Sequence, residues 1–208
     1  MIFLKNKIDS KFEIEIENLC KFYGENQIFK KFNMKFIKGK ITVILGHSGS
    51  GKTTLLNIIA GIDRQYSGSV VVRSSNVSYV FQENRLINNL SVYDNISFVL
   101  KSNLHGQYLK SEIYKYLDVV EMNKYKDMFP KQLSGGMKRR VSLARSIAYN
   151  GDLLLMDEPF KGLDSELKDR IIDRFLNIHS ERCDTIIMVT HDKYEAEKFG
   201  DIIYSINL

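Results

Sequence analysis

Two segments near the amino terminus alternate between apolar and polar residues. The segment FEIEIENL at 12–19 alternates apolar with acidic residues, and FNMKFI at 32–37 alternates in the same way. A period of two is the pattern of a β-strand with one exposed face. We therefore predict an antiparallel β flap at the amino-terminal end of the chain.

Three other apolar segments show no alternation. They are ITVIL at 41–45, LLLM at 153–156 and TIIMV at 185–189. A continuous apolar run suits a strand buried on both faces of a parallel sheet. A helical pattern follows each run, over 52–60, 166–178 and 193–199. This order of strand and helix predicts an α/β core.

The stretch from 85 to 150 carries helical patterns only. Ser91 with Asp94 predicts a capping box at the start of one helix, and Ser111 is predicted to start another. We interpret 85–150 as an α-helical subdomain inserted into a core formed by 1–84 and 151–208. The whole of 1–208 is then a single domain.

The amino-acid composition agrees with a single folded domain, and the net charge suggests a class of partner. The chain has 208 residues, of which 44% are hydrophobic and 26% charged, as in ordinary folded domains. A net charge of +5 suits a mildly anionic partner such as a nucleotide, a nucleic acid or a membrane face, although lysine-rich surfaces are common.

The cysteines and the apolar runs bear on the compartment. Cys20 and Cys183 stand alone without CxxC spacing, so we predict buried thiols in a reducing compartment, without a zinc site or a disulfide. No apolar run approaches the roughly 18 residues of a membrane span, and MIFLKNK is too short for a secretory signal. We expect a cytoplasmic chain.

The segment GHSGSGKT at 46–53 matches the phosphate-binding pattern G-x-x-x-x-G-K-[ST]. It lies between a buried-type strand and a helical pattern, the context that this motif requires. Glycines let backbone N–H groups turn toward phosphate oxygens, and the helix adds its positive end. Lys52 is predicted to meet the β- and γ-phosphates and Thr53 to bind Mg²⁺. The predicted nucleotide-binding residues of this loop are Gly46, His47, Ser48, Gly49, Ser50, Gly51, Lys52, Thr53 and Thr54, with no catalytic role for His47.

A second motif ends a buried-type strand with two acids. In LLLMDEP at 153–159, Asp157 is predicted to hold Mg²⁺ through water. Glu158 would then face the attacking water as the general base. A strand ending in two acids is common by itself, and the functional interpretation depends on its pairing with the phosphate loop.

Further short motifs follow the order found in one known family. They are KFYG at 21–24, VFQEN at 80–84, LSGGM at 133–137, GLD at 162–164 and THD at 190–192. With the two motifs above, the chain resembles the nucleotide-binding subunit of ATP-binding cassette (ABC) transporters along nearly its whole length. The resemblance implies a P-loop NTPase core, ATP and Mg²⁺ as cofactors, and ATP hydrolysis coupled to transport.

The resemblance also implies that two cassettes pair head to tail, with each ATP between the phosphate loop of one and LSGGM of the other. Ser134, Gly135 and Gly136 would then offer a hydroxyl, backbone N–H groups and a helix dipole to the γ-phosphate of the partner's ATP. Asp164 would couple the two sites across the interface.

Three more roles are implied for single residues. Tyr23 would stack on adenine, and His191 would contact the γ-phosphate and help to place the water. Gln82 would reach the metal or the water and also lie near the contact with a membrane partner. The catalytic set implied by the resemblance is Glu158, His191, Lys52 and Gln82, and the metal set is Thr53, Gln82 and Asp157.

The chain departs from the family pattern at two positions. Met137 replaces the usual glutamine, and Lys161 lies where a small residue is commoner. Neither change removes a catalytic group. The cations KRR at 138–140 are predicted to form a solvated helix face and not a nucleic-acid patch.

Within the family, LSGGM, DEPFKGLD and VFQENRLINNLSVYDNISF resemble the importer branch for nitrate, sulfonate, taurine and pyrimidine precursors. Exporter-like and lipoprotein-releasing relatives more often carry threonine at the position of Phe160. The importer branch implies a second ABC subunit (identical or sister), a transmembrane permease and an extracytoplasmic solute-binding protein as partners, with no nucleic acid. The chain would lie at the cytoplasmic face of the cell membrane, bound through the permease, and after DIIYSINL no room is expected for a regulatory domain.

Three alternatives to an import ATPase are open. The first is the ATPase of an efflux or lipoprotein-release system. The second is a soluble ABC ATPase acting on DNA or ribosomes, although such relatives usually carry two cassettes or long coiled-coil insertions. The third, a simple phosphate-loop kinase, leaves LSGGM and THD without a role.

Overall fold

The computed structural model of the chain describes residues 11–206 and contains two β-sheets and six α-helices in this part. The strands are β1 (Phe12–Tyr23), β2 (Asn26–Ile37), β3 (Ile41–Leu45), β4 (Ser67–Val72), β5 (Val77–Val80), β6 (Leu153–Asp157), β7 (Thr185–Thr190) and β8 (Ile202–Ser205). The helices are α1 (Lys52–Ile59), α2 (Val92–Leu100), α3 (Gly106–Val119), α4 (Gly135–Ala148), α5 (Ser165–Arg182) and α6 (Lys193–Phe199).

A parallel five-stranded sheet forms the centre of the molecule, in the order β5-β6-β7-β3-β8. Its three middle strands are the apolar runs that the sequence singled out. They are buried on both faces because neighbouring side chains enter different clusters: Leu154 and Met156 join one hydrophobic cluster, while Leu153 and Leu155 join the other. The predicted α/β core is confirmed.

The second sheet is the predicted antiparallel flap, with strand order β2-β1-β4. Alternate residues of β1, among them Ile14 and Ile16, are buried in the cluster between the flap, α1 and the parallel sheet. β2 starts six residues before the predicted segment, and β4, β5 and β8 had no predicted counterpart. Their sequences, SGSVVV, VSYV and IIYS, show neither a regular alternation nor an uninterrupted apolar run, so the pattern did not identify them.

The stretch 85–150 contains α2, α3, α4 and two short 3₁₀ segments, Asn123–Tyr125 and Pro130–Gln132. Its apolar residues pack in the same cluster as one face of the parallel sheet. The Ser91 cap is confirmed, because its hydroxyl oxygen accepts from the Asp94 backbone N–H at 3.0 Å. The predicted start at Ser111 is wrong, since α3 begins at Gly106 and the Ser111 hydroxyl donates to the Tyr108 carbonyl inside the helix.

The prediction of buried thiols is also wrong. Cys20 is half-buried and accepts a hydrogen bond from the Lys31 backbone N–H, and Cys183 is exposed. Cys183 ends α5 in a left-handed conformation with φ 54°, so its side chain projects from a helix end instead of a core face. Within residues 11–206, no helix combines the length and the apolar character needed to cross a membrane.

Candidate nucleotide-binding and hydrolysis site

The phosphate loop connects β3 to α1 and is built by backbone conformations that glycine permits. Gly49 and Gly51 have φ of 85° and 77°, in the left-handed region that side chains disfavour. A Cβ atom on Gly51 would also lie 2.8 Å from Ile28 Cγ2 of the flap. Gly51 is therefore required both for the turn and for the close approach of the flap, and α1 begins directly after it.

Lys52 is the first residue of α1 and points back over the loop. Its ammonium donates to the carbonyls of Gly46 and His47, both at 2.7 Å, and lies 3.4 Å from Ser50 Oγ. Burial lowers the pKa of Lys52, and the nearby carboxylates of Glu158 and Asp157 act in the opposite direction. The loop thus holds a buried cation where the motif predicts one.

Thr53 and Asp157 meet at the end of β6, where the Thr53 hydroxyl donates to Asp157 Oδ2 at 2.8 Å. Asp157 is only 2% exposed, and burial raises the pKa of its carboxyl group. A hydroxyl and a carboxylate side by side are hard oxygen ligands that fit Mg²⁺. Within 11–206, no cluster of three or more His, Cys, Asp or Glu residues suited to a metal occurs.

Glu158 follows Asp157 with a left-handed backbone, φ 46°, while its N–H donates to the Val189 carbonyl of β7. Its carboxylate lies 3.0 Å from His191 Nδ1 and 2.8 Å from Lys161 Nζ. Burial raises the pKa of Glu158, but the contacts with Lys161 and His191 outweigh it and leave the pKa below its usual value. The carboxylate is therefore held as an anion.

These groups line one cleft of about 200 Å³. Its walls combine the phosphate loop, the start of α1, the segment after β5, the end of β6 and one flap residue: Ile28, Ser48, Gly49, Gly51, Lys52, Thr53, Thr54, Gln82, Asp157 and Glu158. Gly46 and Ser50 pack beneath the loop, and His47 is exposed with Nδ1 near the Ser48 carbonyl. The structure thus brings most of the predicted nucleotide and metal residues to one place.

Tyr23 lies on the flap, outside the residues that line the cleft, and is half exposed. Its hydroxyl donates to Asp63 Oδ2 at 2.8 Å, and the buried Lys21 ammonium lies 4.5 Å from its ring centroid. Lys21 also bonds to Asp63, so the ring orientation is fixed from two sides. Sequence reasoning missed Lys21 and Asp63, although Lys21 and Tyr23 share one strand face by their spacing.

The LSGGM segment lies at the start of α4, outside the residues that line this cleft. Ser134 is the N-cap, and its hydroxyl oxygen accepts from the Met137 N–H at 3.2 Å. Ser134 and Gly135 are exposed, and Gly136 lies near the Gly162 carbonyl. Asp164 is exposed as well and caps α5 by accepting from the Leu167 N–H. These residues offer a helix N-terminus to an outside group.

The prediction that KRR forms a solvated face is wrong. Arg139 is only 4% exposed, and Lys138 and Arg140 are half-buried. Arg140 donates to the carbonyls of Val120 and Glu121 within the helical stretch, while Arg139 reaches the ends of β5 and β6. A run of cations at the start of a helix gave no sign of this burial, because carbonyl acceptors from distant segments leave no local pattern.

A glycine loop before a helix, a hydroxyl–carboxylate pair and a buried acid on a parallel sheet together define a P-loop nucleotide-binding cassette. The family model described as ABC transporter matches residues 29–161, well over half of the chain. The chain belongs to the ABC transporter family, as the sequence motifs predicted.

Curated relatives agree with this family. The sulfate/thiosulfate import ATP-binding protein CysA of Escherichia coli (strain K12) is 36% identical over 203 residues, covering 90% of this chain and 56% of the relative. The protein of the same name from Pseudomonas aeruginosa is 34% identical over 209 residues, covering 93% and 64%. The chain thus spans little more than half of the length of these relatives.

Solved structures share the fold. A dimeric ATP-binding cassette in a post-hydrolysis state, bound to ADP and Pi, matches with a TM-score of 0.84 and 29% identity, covering 93% of this chain and 94% of that one. The cassette cbiO1 from Clostridium perfringens, part of the transporter complex cbiONQ, matches with a TM-score of 0.79 and 26% identity, covering 95% and 86%. The predicted P-loop NTPase core with its flap is confirmed.

Proposed function

We propose that the chain is the ATP-hydrolysing subunit of an ABC transporter that powers solute import through a separate membrane permease. The observation that carries the proposal is the position of Glu158 in the cleft. A carboxylate kept ionised by Lys161 and His191 lies beside the Thr53–Asp157 pair and the buried Lys52. A general base, a metal ligand pair and a phosphate-binding loop are the parts that phosphoryl transfer to water requires.

ATP is held by the phosphate loop in this proposal. The N–H groups at the start of α1 and the Lys52 ammonium bind phosphate oxygens, and Lys52 exchanges its loop carbonyls for them. Thr53 and Asp157 hold Mg²⁺, which supplies charge neutralisation on the phosphates when it is bound. Tyr23 stacks on the adenine, and its hydrogen bond to Asp63 fixes the ring plane in advance.

Glu158 accepts the proton of the attacking water, because its lowered pKa keeps it ionised near neutral pH. His191 is half exposed and touches Glu158 through Nδ1, so its other ring nitrogen is available to the γ-phosphate. Gln82 lines the same cleft and is placed to orient the water or the metal.

A second ABC subunit completes the site. Ser134, Gly135 and Gly136 face outward on this chain and would bind the γ-phosphate held by the partner, with Asp164 at the interface between the sites. Head-to-tail pairing is supported by the exposed N-terminus of α4 and by the dimeric state of a structural relative. A chain that lacks this partner should hydrolyse ATP poorly.

The permease would bind beside the segment after β5. An open groove of about 320 Å³ lies there between the parallel sheet, α2 and α4, with Val77, Phe81, Val99 and Tyr149 in its lining. Ile62, which also lines the groove, is 57% exposed, as expected of a surface that a partner covers. The chain would lie at the cytoplasmic face of the membrane through this contact, and an extracytoplasmic solute-binding protein would deliver the solute.

The cargo that we propose is a small anion of the nitrate, sulfonate or taurine type. Support comes from the sequence resemblance and from curated relatives that are named for sulfate and thiosulfate import. Sulfate and thiosulfate are oxyanions, as nitrate and sulfonates are. Two residues from the segments that carry this resemblance pack inside the fold: Phe160 is buried against Phe199, and Met137 packs on the core. An efflux or lipoprotein-release role remains the alternative outcome of a transport experiment.

The test of the enzyme is Glu158→Gln. We expect ATP affinity within about twofold of wild type and hydrolysis lower by about 10²- to 10⁴-fold, the range of general base catalysis. Phosphate release measures turnover, and size-exclusion chromatography with ATP should show an accumulating dimer. Glu181→Gln on the exposed end of α5 is the matched control and should keep full turnover. Unchanged hydrolysis in Glu158→Gln would exclude Glu158 as the base.

The test of the transport role uses the permease that co-purifies with the chain. Reconstituted vesicles should take up sulfonate or nitrate when ATP is on the side of the cassette and the solute-binding protein is on the other side. Export of solute or release of lipoprotein from the same vesicles would contradict the import proposal and leave the hydrolysis site unaffected.

A further inference from the structure

Arg139 of α4 uses its entire hydrogen-bonding capacity on backbone carbonyls of two other segments. A guanidinium carries five N–H donors. Nε donates to Pro159 O at 3.0 Å, Nη1 to Phe81 O and Gln82 O, and Nη2 to Asp157 O and Glu158 O. Each donor therefore has one acceptor.

The five acceptors belong to the two loops that hold the reacting groups. Phe81 and Gln82 follow β5, Asp157 is the last residue of β6, and Glu158 and Pro159 come directly after it. β5 and β6 are parallel neighbours, so their carboxyl ends leave carbonyls without a ladder partner at the same edge of the sheet. Arg139 supplies those partners from a third element.

The contact also accounts for the backbone of Glu158. A left-handed conformation is unfavourable at a residue other than glycine, such as Glu158, and persists where the surroundings fix it. On one side the Glu158 N–H is bonded to Val189 of β7, and on the other its carbonyl accepts from Arg139 and from the Lys161 backbone N–H. These bonds together set the direction in which the carboxylate leaves the chain.

Neither Gln nor Lys can reproduce the contact. A glutamine amide has two N–H donors and a lysine ammonium three, and neither has the planar fork that spans both loops. The guanidinium is buried, which lowers the pKa of Arg139, and the carboxylates of Asp157 and Glu158 oppose only part of that effect. Ser134 starts the same helix five residues earlier, so one rigid helix connects the outward-facing serine to both loops.

We propose that Arg139 is a positioning residue for ATP hydrolysis, fixing the backbones of Glu158 and Gln82 relative to the helix that begins at Ser134. This inference rests on the proposed function of Glu158 and Gln82. Its consequence is that a displacement of the first turn of α4 by a bound partner is transmitted to the base and to the glutamine through one side chain.

The test compares Arg139→Gln and Arg139→Lys with wild type. We expect kcat to fall about 10- to 100-fold in Arg139→Gln, the effect of a base displaced by about 1 Å, with ATP affinity within about twofold. Arg139→Lys keeps the charge and part of the bonding, so it should recover part of kcat. It also provides a folded variant if Arg139→Gln does not fold.

The matched control is Arg182→Gln. Arg182 donates to the Ile147 carbonyl at the far end of α4 and pairs with Asp184, away from the cleft. The Arg182→Gln substitution should lower the melting temperature without lowering kcat. Equal loss of kcat in the Arg182 and Arg139 variants, or wild-type kcat in Arg139→Gln, would overturn the inference.

Amide hydrogen exchange supplies a readout that does not depend on hydrolysis. Exchange at 82–85 and 158–163 should rise in both Arg139 variants, while exchange at 107–119 stays unchanged. Unaltered exchange at both loops would overturn the inference even if no ATP hydrolysis were found. Absent hydrolysis in wild type assembled with its second subunit, together with raised exchange in the variants, would overturn the proposed function alone.

Discussion

The two glycine motifs of this chain lie before two helices but have opposite surroundings. At the start of α1, the phosphate loop faces a cleft that already contains a buried cation, a hydroxyl and two carboxylates. At the start of α4, Ser134 and Gly135 are exposed, and a Cβ on Gly135 would meet no atom within 4 Å. One helix start belongs to a site within the chain, and the other is open to a group from outside.

Two segments with the same local motif, a glycine-containing turn before a helix, can therefore have different roles. Both helices offer unpaired N–H groups and a positive end. Only the α1 end has a metal ligand pair and a base close by. This asymmetry is what a composite site between two subunits requires.

The largest expected contrast is between Lys52→Ala and Ser134→Arg. Loss of the ammonium should weaken ATP binding roughly 10- to 100-fold, the value of one or two charged hydrogen bonds. Ser134→Arg should leave ATP affinity of the isolated chain within about twofold but reduce hydrolysis by about 10²- to 10³-fold, as loss of a transition-state donor does. Isothermal titration and phosphate release measure the two effects. A Ser134→Arg chain with greatly weakened ATP binding would place the signature segment in the chain's own site.

A second contrast concerns stability and uses the glycines themselves. Gly51→Ala should lower the free energy of unfolding by about 2–3 kcal/mol, through the left-handed backbone and the clash with Ile28. Gly135→Ala should change it by no more than about 0.5 kcal/mol, since the added methyl enters open space. Denaturant titration measures both. Equal destabilisation by the two substitutions would show that the ends are packed alike.

The smallest expected effect concerns pH and Lys161. Lys161 helps to hold the pKa of Glu158 below its usual value, so Lys161→Ala should raise that pKa. Hydrolysis requires the ionised base and is lost as pH falls through this pKa. The acidic limb of the pH–rate profile should therefore move to higher pH, by less than about one unit for a partner this exposed. Lys193→Ala, which breaks a surface pair with Glu197, is the control and should leave the limb in place.

Much of the fold could be predicted because its strongest patterns are local. The apolar runs at 41–45, 153–156 and 185–189 became β3, β6 and β7, and the helical patterns after them became α1, α5 and α6. The start of α3 was missed because Ser111 resembles a cap, while the residue that precedes the helix, His105, makes no side-chain cap. A serine that caps the start of a helix and a serine within the helix cannot be told apart from the sequence alone.

The sequence identified the residues of the candidate site that belong to a local motif. It did not identify those that reach the site only through tertiary contacts. The phosphate loop, Asp157 and Glu158 met in one cleft as their order predicted. Lys161, noted only as a departure from the family, turned out to contact Glu158, and the Asp63 bond to Tyr23 joins residues 40 positions apart. Arg139 was misinterpreted because its acceptors lie 18 to 58 positions away along the chain.

The most direct measurement of the central claim is the hydrolysis rate of a mixture of Lys52→Ala and Ser134→Arg chains. Each variant alone should be inactive, because every composite site then carries one defect. An equimolar mixture should regain about a quarter of the wild-type rate, since half of the dimers are mixed and each of these has one intact site. For a wild-type chain that forms a homodimer with ATP, a mixture as inactive as its components would contradict the account, as would full activity of Ser134→Arg alone.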